Sequence, residues 1–428
     1  MIDRYSIAKG MYNMFDHRIV VPNLGETALF YHEYYHHVQN ISTVLGGERL
    51  NLLMQFLAHT TNLASSHAPL YAPFNSWYED GLSRGFATPK LQQRLENIVF
   101  HQDEWLYLDK ILYPPRTFQQ SECFDEYLAT VENKEKGALE PYILRIEKDA
   151  IIGYPIGGFA ITESGAYALE LWHSGQFDPV ILDNLNRENY QYLIVLDLMY
   201  RLLEDFRSAC LATFLVCDLA MIVSSPSMGF LAVYQVARHF FKKGMDEEAL
   251  LKWYYYTYMT FREEIVESIR LEMEVIHDIR KVKKGLHVII DRMFEWQLNL
   301  MESGLQLRLD DRMEFIQRLL SGKKEDLDYL LKVFPLSIIE TTDDGNVHYN
   351  SDEDFDNYEL LNASYNLFLG LCRNIDHLLH NSNVIHIRHI NETSFQFELQ
   401  QEGNQSDAYG YMLHTMGLIG KTLHTKPY

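Results

Sequence analysis

Leu29-Phe30-Tyr31-His32-Glu33-Tyr34-Tyr35-His36-His37-Val38 is the stretch from which the rest of the chain is read. No proline or glycine interrupts Glu26 to Ile41, while Pro22 and Gly25 precede the run and Gly46-Gly47 follow it. The run therefore predicts a single helix, with Asn23 or Thr27 as its expected N-cap. On a helix, residues four apart lie on one face, about 40° apart and one turn along the axis. The His32 and His36 imidazoles can then reach one metal ion. Glu33 is the only charged side chain between Glu26 and Glu48. A carboxylate among bulky uncharged neighbours needs a counter-charge, and a divalent cation is one. The competing reading puts Glu33 on a solvent-facing helix surface, with the pentapeptide a coincidence in a chain of 18 histidines.

The pattern H-E-x-x-H, flanked by uncharged residues and closed by Val38, resembles the extended motif of the zincin metallohydrolases, most of which are peptidases. Gln39, three positions after His36, matches the form H-E-x-x-H-x-x-Q and sits one turn on, where an amide can orient a ligand histidine. The resemblance covers about a tenth of the chain and points to a superfamily. It implies Zn²⁺ as cofactor, His32 and His36 as ligands, and Glu33 as the general base that activates water against a carbonyl carbon. The metzincin branch requires a glycine and a histidine where this chain has Gln39 and Ser42, so it is excluded. The gluzincin branch takes a glutamate from a later helix.

Ile161-Thr162-Glu163-Ser164-Gly165-Ala166-Tyr167-Ala168-Leu169-Glu170 resembles that later helix. Glu163 is the expected third ligand. Small residues at 164, 165, 166 and 168 would let this helix approach the motif helix closely, as a short carboxylate requires. Thr162 is its expected cap, and Ile156-Gly157-Gly158-Phe159-Ala160 reads as a loop or short strand entering it. Glu170, two turns on, is the competing ligand. In the family pattern the later acid instead bonds a ligand histidine. The bland reading of Glu163 is a helix-start glutamate favoured by the helix dipole. The long spacing from His36 calls for an insertion of several helices. Tyr167, one turn after Glu163, is the candidate oxyanion stabiliser, with His173 and Tyr154 as other candidates among 28 tyrosines and 18 histidines. His37 points about 100° away from His36 and reads as a neighbour of the site rather than a ligand.

The 428 residues, 47% of them hydrophobic, suffice for two or three domains with a large core. The expected division is a zincin-like core with a helical insertion over 1–183, a helical domain over 184–340, and an α+β region over 341–428. The expected fold class is mainly α (α+β), with a small sheet in the catalytic core and a C-terminal hairpin. The net charge of −22 argues against nonspecific nucleic-acid binding and suits a basic peptide or simple solubility. The four scattered cysteines form no C-x-x-C pair, and the first residues lack a signal-peptide layout, so the expectation is a cytoplasmic protein without disulfides. Ala209 to Val223 is apolar but too short to span a membrane and contains Asp218, which predicts a buried helix.

Along the chain, Arg18-Ile19-Val20-Val21 predicts a strand whose sheet would flank the motif helix. Helices are expected over 50–63, 91–112 (broken by Pro114-Pro115), 121–133, 189–223, 228–241, 246–281, 286–302 and 358–381, with a long loop over 65–90. Trp253-Tyr254-Tyr255-Tyr256 reads as packing between helices, and the acidic stretch Asp343 to Asp354 as an exposed connection without EF-hand spacing. Residues 384–388 and 394–399 alternate as a hairpin around Asn391-Glu392-Thr393, with His386 and His389 on its surface. The functional expectation is a zinc metallopeptidase acting on a peptide or protein substrate, with a protein partner for the helical region and neither nucleic acid nor membrane. The alternatives are a helical interaction scaffold with a coincidental motif, and a metal enzyme that is not a peptidase.

Overall fold

In the computed structural model, residues 10–13, 17–44, 46–47, 70–72, 116–118, 123–133, 138–147, 150–222, 226–282, 288–310, 312–336, 338–343, 345, 347–349, 363, 367, 385–391, 394–399 and 408–425 are described. The expected helices over 50–63 and 91–112, nearly all of that over 358–381, most of the 65–90 loop and the 392–393 turn lie outside them. The motif run forms helix α1, Thr27–Ser42, buried from Leu29 to its end. A helix without a polar face must be covered all round. Neither Asn23 nor Thr27 caps it. Glu26 holds the cap position with no side-chain bond. Asn23 instead turns the chain into the helix, its Oδ1 accepting from the Gly25 N–H at 3.0 Å.

Strands β1 (Met11–Asn13) and β2 (Arg18–Val21) form an antiparallel pair beside α1. β2 also pairs in parallel with β8 (Ile338–Thr341), which turns through Gly345 into β9 (Val347–Tyr349). Asp343 and Gly345 lie between these paired strands, and the rest of the acidic connection, at 344, 346 and 350–354, lies outside the described residues. Short β3 (Leu70–Ala72) belongs to another sheet, described below. A second four-stranded sheet is antiparallel, in the order β4 (Arg116–Thr117), β7 (Ala150–Pro155), β6 (Ala138–Glu147), β5 (Leu128–Asn133). The helix expected over 121–133 is overturned here. Asp125 Oδ1 accepts from the N–H groups of Tyr127 and Leu128 at 2.6 and 2.8 Å, a local turn that competes with a helix. Thr130 and Val131 then suit the pleat that pairs with β6. Among the described residues the segment between α1 and Glu163 therefore contains this sheet as well.

From β7 the chain enters helix α2, Gly158–Ser174. Only Ile156 and Gly157 form the entry loop. Thr162 is not the cap, because its hydroxyl donates to the Phe159 carbonyl within the helix, at 3.0 Å. Glu163 therefore lies in the second turn, away from the N-terminal dipole. Helices α3 (Tyr190–Leu203), α4 (Phe206–Ala220), α5 (Pro226–Phe240), α6 (Glu247–Thr260), α7 (Arg262–Val282), α8 (Val288–Asp310), α9 (Arg312–Ser321) and α10 (Lys324–Val333) follow. The run expected as one helix over 189–223 breaks at Glu204, which adopts φ 56°. Asp205 then caps α4, accepting from the Ser208 N–H at 2.8 Å. The run over 246–281 breaks likewise at Phe261, the C-cap of α6. Trp253 and Tyr254 pack inside, whereas Tyr255 and Tyr256 are exposed, correcting the packing role given to all four.

The C-terminal hairpin forms as expected from β10 (Ile385–Asn391) and β11 (Ser394–Leu399). After helix α11 (Ala408–Thr415), strand β12 (Thr422–Thr425) joins β11 to β3. The chain is mainly helical, with small sheets. No helix among the described residues is long and apolar enough to cross a membrane.

α2 packs between α1, α3 and α4. Gly165 makes the close approach possible. A β-carbon there would stand 3.0 Å from Cys217 Cβ and 3.4 Å from Tyr35 Cε1. Behind α1 lies a buried ionic cluster. Asp218 on α4 takes Arg308 Nη1 and Arg312 Nη2, each at 2.6 Å, and the hydroxyls of Tyr254 at 2.7 Å and Tyr35 at 3.1 Å. Arg308 also donates to Ser42 Oγ at 3.1 Å. Two residues of the motif helix, Tyr35 and Ser42, are thus anchored to α4, α8 and α9 through one carboxylate.

Candidate metal centre

α1 presents His32 and His36 to α2, where Glu163 meets them. The two Nε2 atoms are 3.2 Å apart. Glu163 Oε2 lies 3.5 Å from His36 Nε2 and 3.8 Å from His32 Nε2. All three side chains are buried. A tetrahedral ion with bonds of about 2.0 Å spaces its ligand atoms about 3.3 Å apart, so the donor set fits zinc in type and in spacing.

The outer nitrogens settle which way the rings face. His32 Nδ1 lies 2.8 Å from Glu170 Oε2, and His36 Nδ1 lies 2.9 Å from Gln39 Oε1. A carboxylate and an amide oxygen only accept, so both Nδ1 atoms carry the protons. Gln39 is fixed in turn by donating to the Thr162 carbonyl at 3.2 Å. Two bare Nε2 lone pairs then face each other with a carboxylate beside them. Such an arrangement requires a positive charge at its centre, either a proton or a metal ion. The pKa directions express the same demand. Burial opposes a proton on His32, but the hydrogen bonds to Glu163 and Glu170 outweigh it and hold the ring well above the usual range. Burial likewise opposes ionisation of Glu163, and the two imidazoles reverse that and keep it ionised.

Glu33 is buried beside the pair, and its pKa is raised, by burial first and against the pull of His32 and His36. The chain near β1 packs directly on it, since a β-carbon at Gly10 would stand 2.8 Å from Glu33 Oε1. The site opens on a cleft of about 720 Å³ that reaches His32 and Glu33 and is walled by Tyr167, Glu170, His173 and Tyr192. That volume suits a small ligand or a peptide side chain.

Of the candidates for a polarising hydroxyl or imidazole, Tyr167 lines the cleft, and its phenol is pushed up by burial and by Glu170. His173 lines it too, but its Nε2 lies 2.8 Å from the Leu319 carbonyl and its ring stacks on Tyr31. Tyr154 lies elsewhere, its hydroxyl donating to Glu147 at 2.5 Å on the second sheet. Tyr192 escaped the sequence reading. Its pKa is raised by burial and then by Glu163, Glu33 and Glu170, which puts its hydroxyl within the field of all three carboxylates. Nothing in Asn189-Tyr190-Gln191-Tyr192 marks it, because only the packing of α3 on α2 brings it there.

Comparisons with family models, curated proteins and solved structures find no match to this chain.

The geometry of the chain itself therefore carries the functional argument. Glu170 orients His32 rather than competing with Glu163. Replacing it by Gln should keep the fold and weaken zinc binding about 10- to 100-fold, as read by competition with a chromogenic chelator.

Proposed function

We propose that the protein is a zinc-dependent hydrolase of the gluzincin kind, acting on peptides. The observation that supports this most is the pair of bare, inward-facing Nε2 atoms with Glu163 beside them and Glu33 at the mouth of a cleft. His32, His36 and Glu163 would hold the ion, leaving one position open. A bound zinc would supply Lewis acidity, lowering the pKa of water and polarising a substrate carbonyl.

The chain's own groups do the rest. Glu33 takes a proton from the attacking water and passes it to the leaving amine. Its raised pKa favours holding that proton between the two transfers. Glu170 and Gln39 keep both imidazoles in the ligating tautomer. Tyr167 and Tyr192 offer hydroxyls along the cleft wall for the developing oxyanion. α3 and the 3-10 turn Pro179–Asn184 complete the cleft, with Ile181 and Leu193 as its apolar contacts.

Elemental analysis with a peptide-library assay tests the proposal. His36→Ala and Glu163→Ala should each lower the zinc content by about one ion per chain and abolish cleavage. Zinc content unchanged by either substitution, with no cleavage by the parent chain, would leave the helical scaffold reading in its place. Zinc lost in both variants without any peptide cleaved would point to a metal enzyme of another class.

A further inference from the structure

A second histidine pair stands on another face of α1. His37 projects about 100° round the helix from His36. The β1–β2 turn brings His17 against it, and β1 brings Tyr12. His17 Nδ1 lies 3.2 Å from His37 Nδ1. The Tyr12 hydroxyl lies 2.9 Å from the first and 3.4 Å from the second. The ring centroids are 5.1 Å apart with planes at 80°. For His32 and His36 the corresponding values are 5.0 Å and 71°, with facing nitrogens again 3.2 Å apart. The second pair thus repeats the spacing of the first, with Nδ1 in place of Nε2 and a phenol in place of the carboxylate, but without the side-chain acceptors that fix the tautomers of His32 and His36. All three separations cluster near the roughly 3.3 Å set by a tetrahedral ion.

Other features point the same way. Both rings are fully buried. His17 holds its place with φ 53°, in the left-handed region. Such a conformation is unfavourable for a non-glycine residue and persists where the surroundings enforce it. Tyr12 is partly buried, and its oxygen is the third donor facing the two rings.

We propose that Tyr12, His17 and His37 form a second site, for a borderline divalent ion such as zinc, that ties the N-terminal hairpin to the motif helix. The donor set of two imidazoles and one phenolate suits zinc and copper(II). The role is structural. Gly10, at the start of the same hairpin, packs on Glu33, so an ion here also fixes the wall beside that carboxylate. The site stands on its own contacts and is independent of the hydrolase reading. The ordinary alternative is a hydrogen-bond chain through the same atoms, entered by Asn40 Nδ2 at 3.3 Å from the Tyr12 oxygen.

The test uses the full chain equilibrated with zinc and freed of excess. The parent chain should hold about two ions, and Tyr12→Phe and His17→Phe about one each. His36→Ala should also hold about one, which separates this site from the first. Copper(II) added to the His36→Ala chain should give a phenolate-to-copper charge-transfer band that Tyr12→Phe abolishes. Circular dichroism checks the fold, and Tyr12→Phe removes a single hydroxyl. The band decides the matter should the His17 variant not fold. Zinc content unaffected by Tyr12→Phe and His17→Phe, with no such band, would overturn the proposal and leave the hydrogen-bond chain.

Discussion

Glu33→Gln should leave the zinc content unchanged while lowering kcat by about a thousandfold. Glutamine keeps the shape of the side chain and still packs beside Gly10, but it cannot accept a proton from water. His32, His36 and Glu163 carry the ligand atoms, so the ion should stay. Kinetics on a cleaved library peptide, together with elemental analysis, check both halves. A variant that loses zinc in proportion to activity would make Glu33 a ligand or a structural group rather than the base. Tyr192→Phe offers a comparison. On the proposed mechanism, losing this cleft-lining hydroxyl should cost about a hundredfold with zinc retained.

Asp218→Asn should destabilise the folded chain by about 3–5 kcal/mol. The substitution is isosteric, but it leaves the Arg308 and Arg312 guanidiniums buried without their counter-charge. It also weakens the hold on Tyr35 and, through Arg308, on Ser42 of the motif helix. Denaturant unfolding of the two chains measures the difference. Its pH dependence follows from the carboxyl. Burial opposes ionisation of Asp218, and the two arginines outweigh it, so the folded pKa lies below the usual value. A depressed folded pKa means that the unfolded chain binds the proton more readily. The stabilisation is then complete above about pH 4, the unfolded value, and fades as the pH falls through the lower folded value. The parent and Asp218→Asn stability curves should therefore converge in acid. Curves that stay parallel down to strong acid would refute this account of the cluster.

Much of the site could be read from local sequence. A helix through Thr27–Ser42 follows from the lack of breakers, and the four-residue spacing of His32 and His36 then places them on one face. Gln39 follows by the same arithmetic, being one turn from His36. Its contact at 2.9 Å is a local consequence of helix geometry. The strand Arg18–Val21 and the C-terminal hairpin were legible from β-branched runs and alternation. The strand at Leu128–Asn133 was not, because a side-chain turn at Asp125 and pairing with β6 override a pattern that suits a helix in isolation. Continuous apolar periodicity hides the short breaks at Glu204 and Phe261, and Asp205, the cap of α4, is the one local mark of the first.

Local spacing was enough to place two imidazoles, a neighbouring carboxylate and a supporting amide on one helix, since residues a turn apart meet wherever that helix lies. The separate positions of Glu163 and Glu170, the presence of Tyr192, the partners of Asp218 and the meeting of His17 with His37 depended on how distant segments pack. Contacts between such segments are set by the closeness that Gly165 allows, by sheet pairing and by the need to neutralise charge away from water, and none of these leaves a periodic mark along the chain.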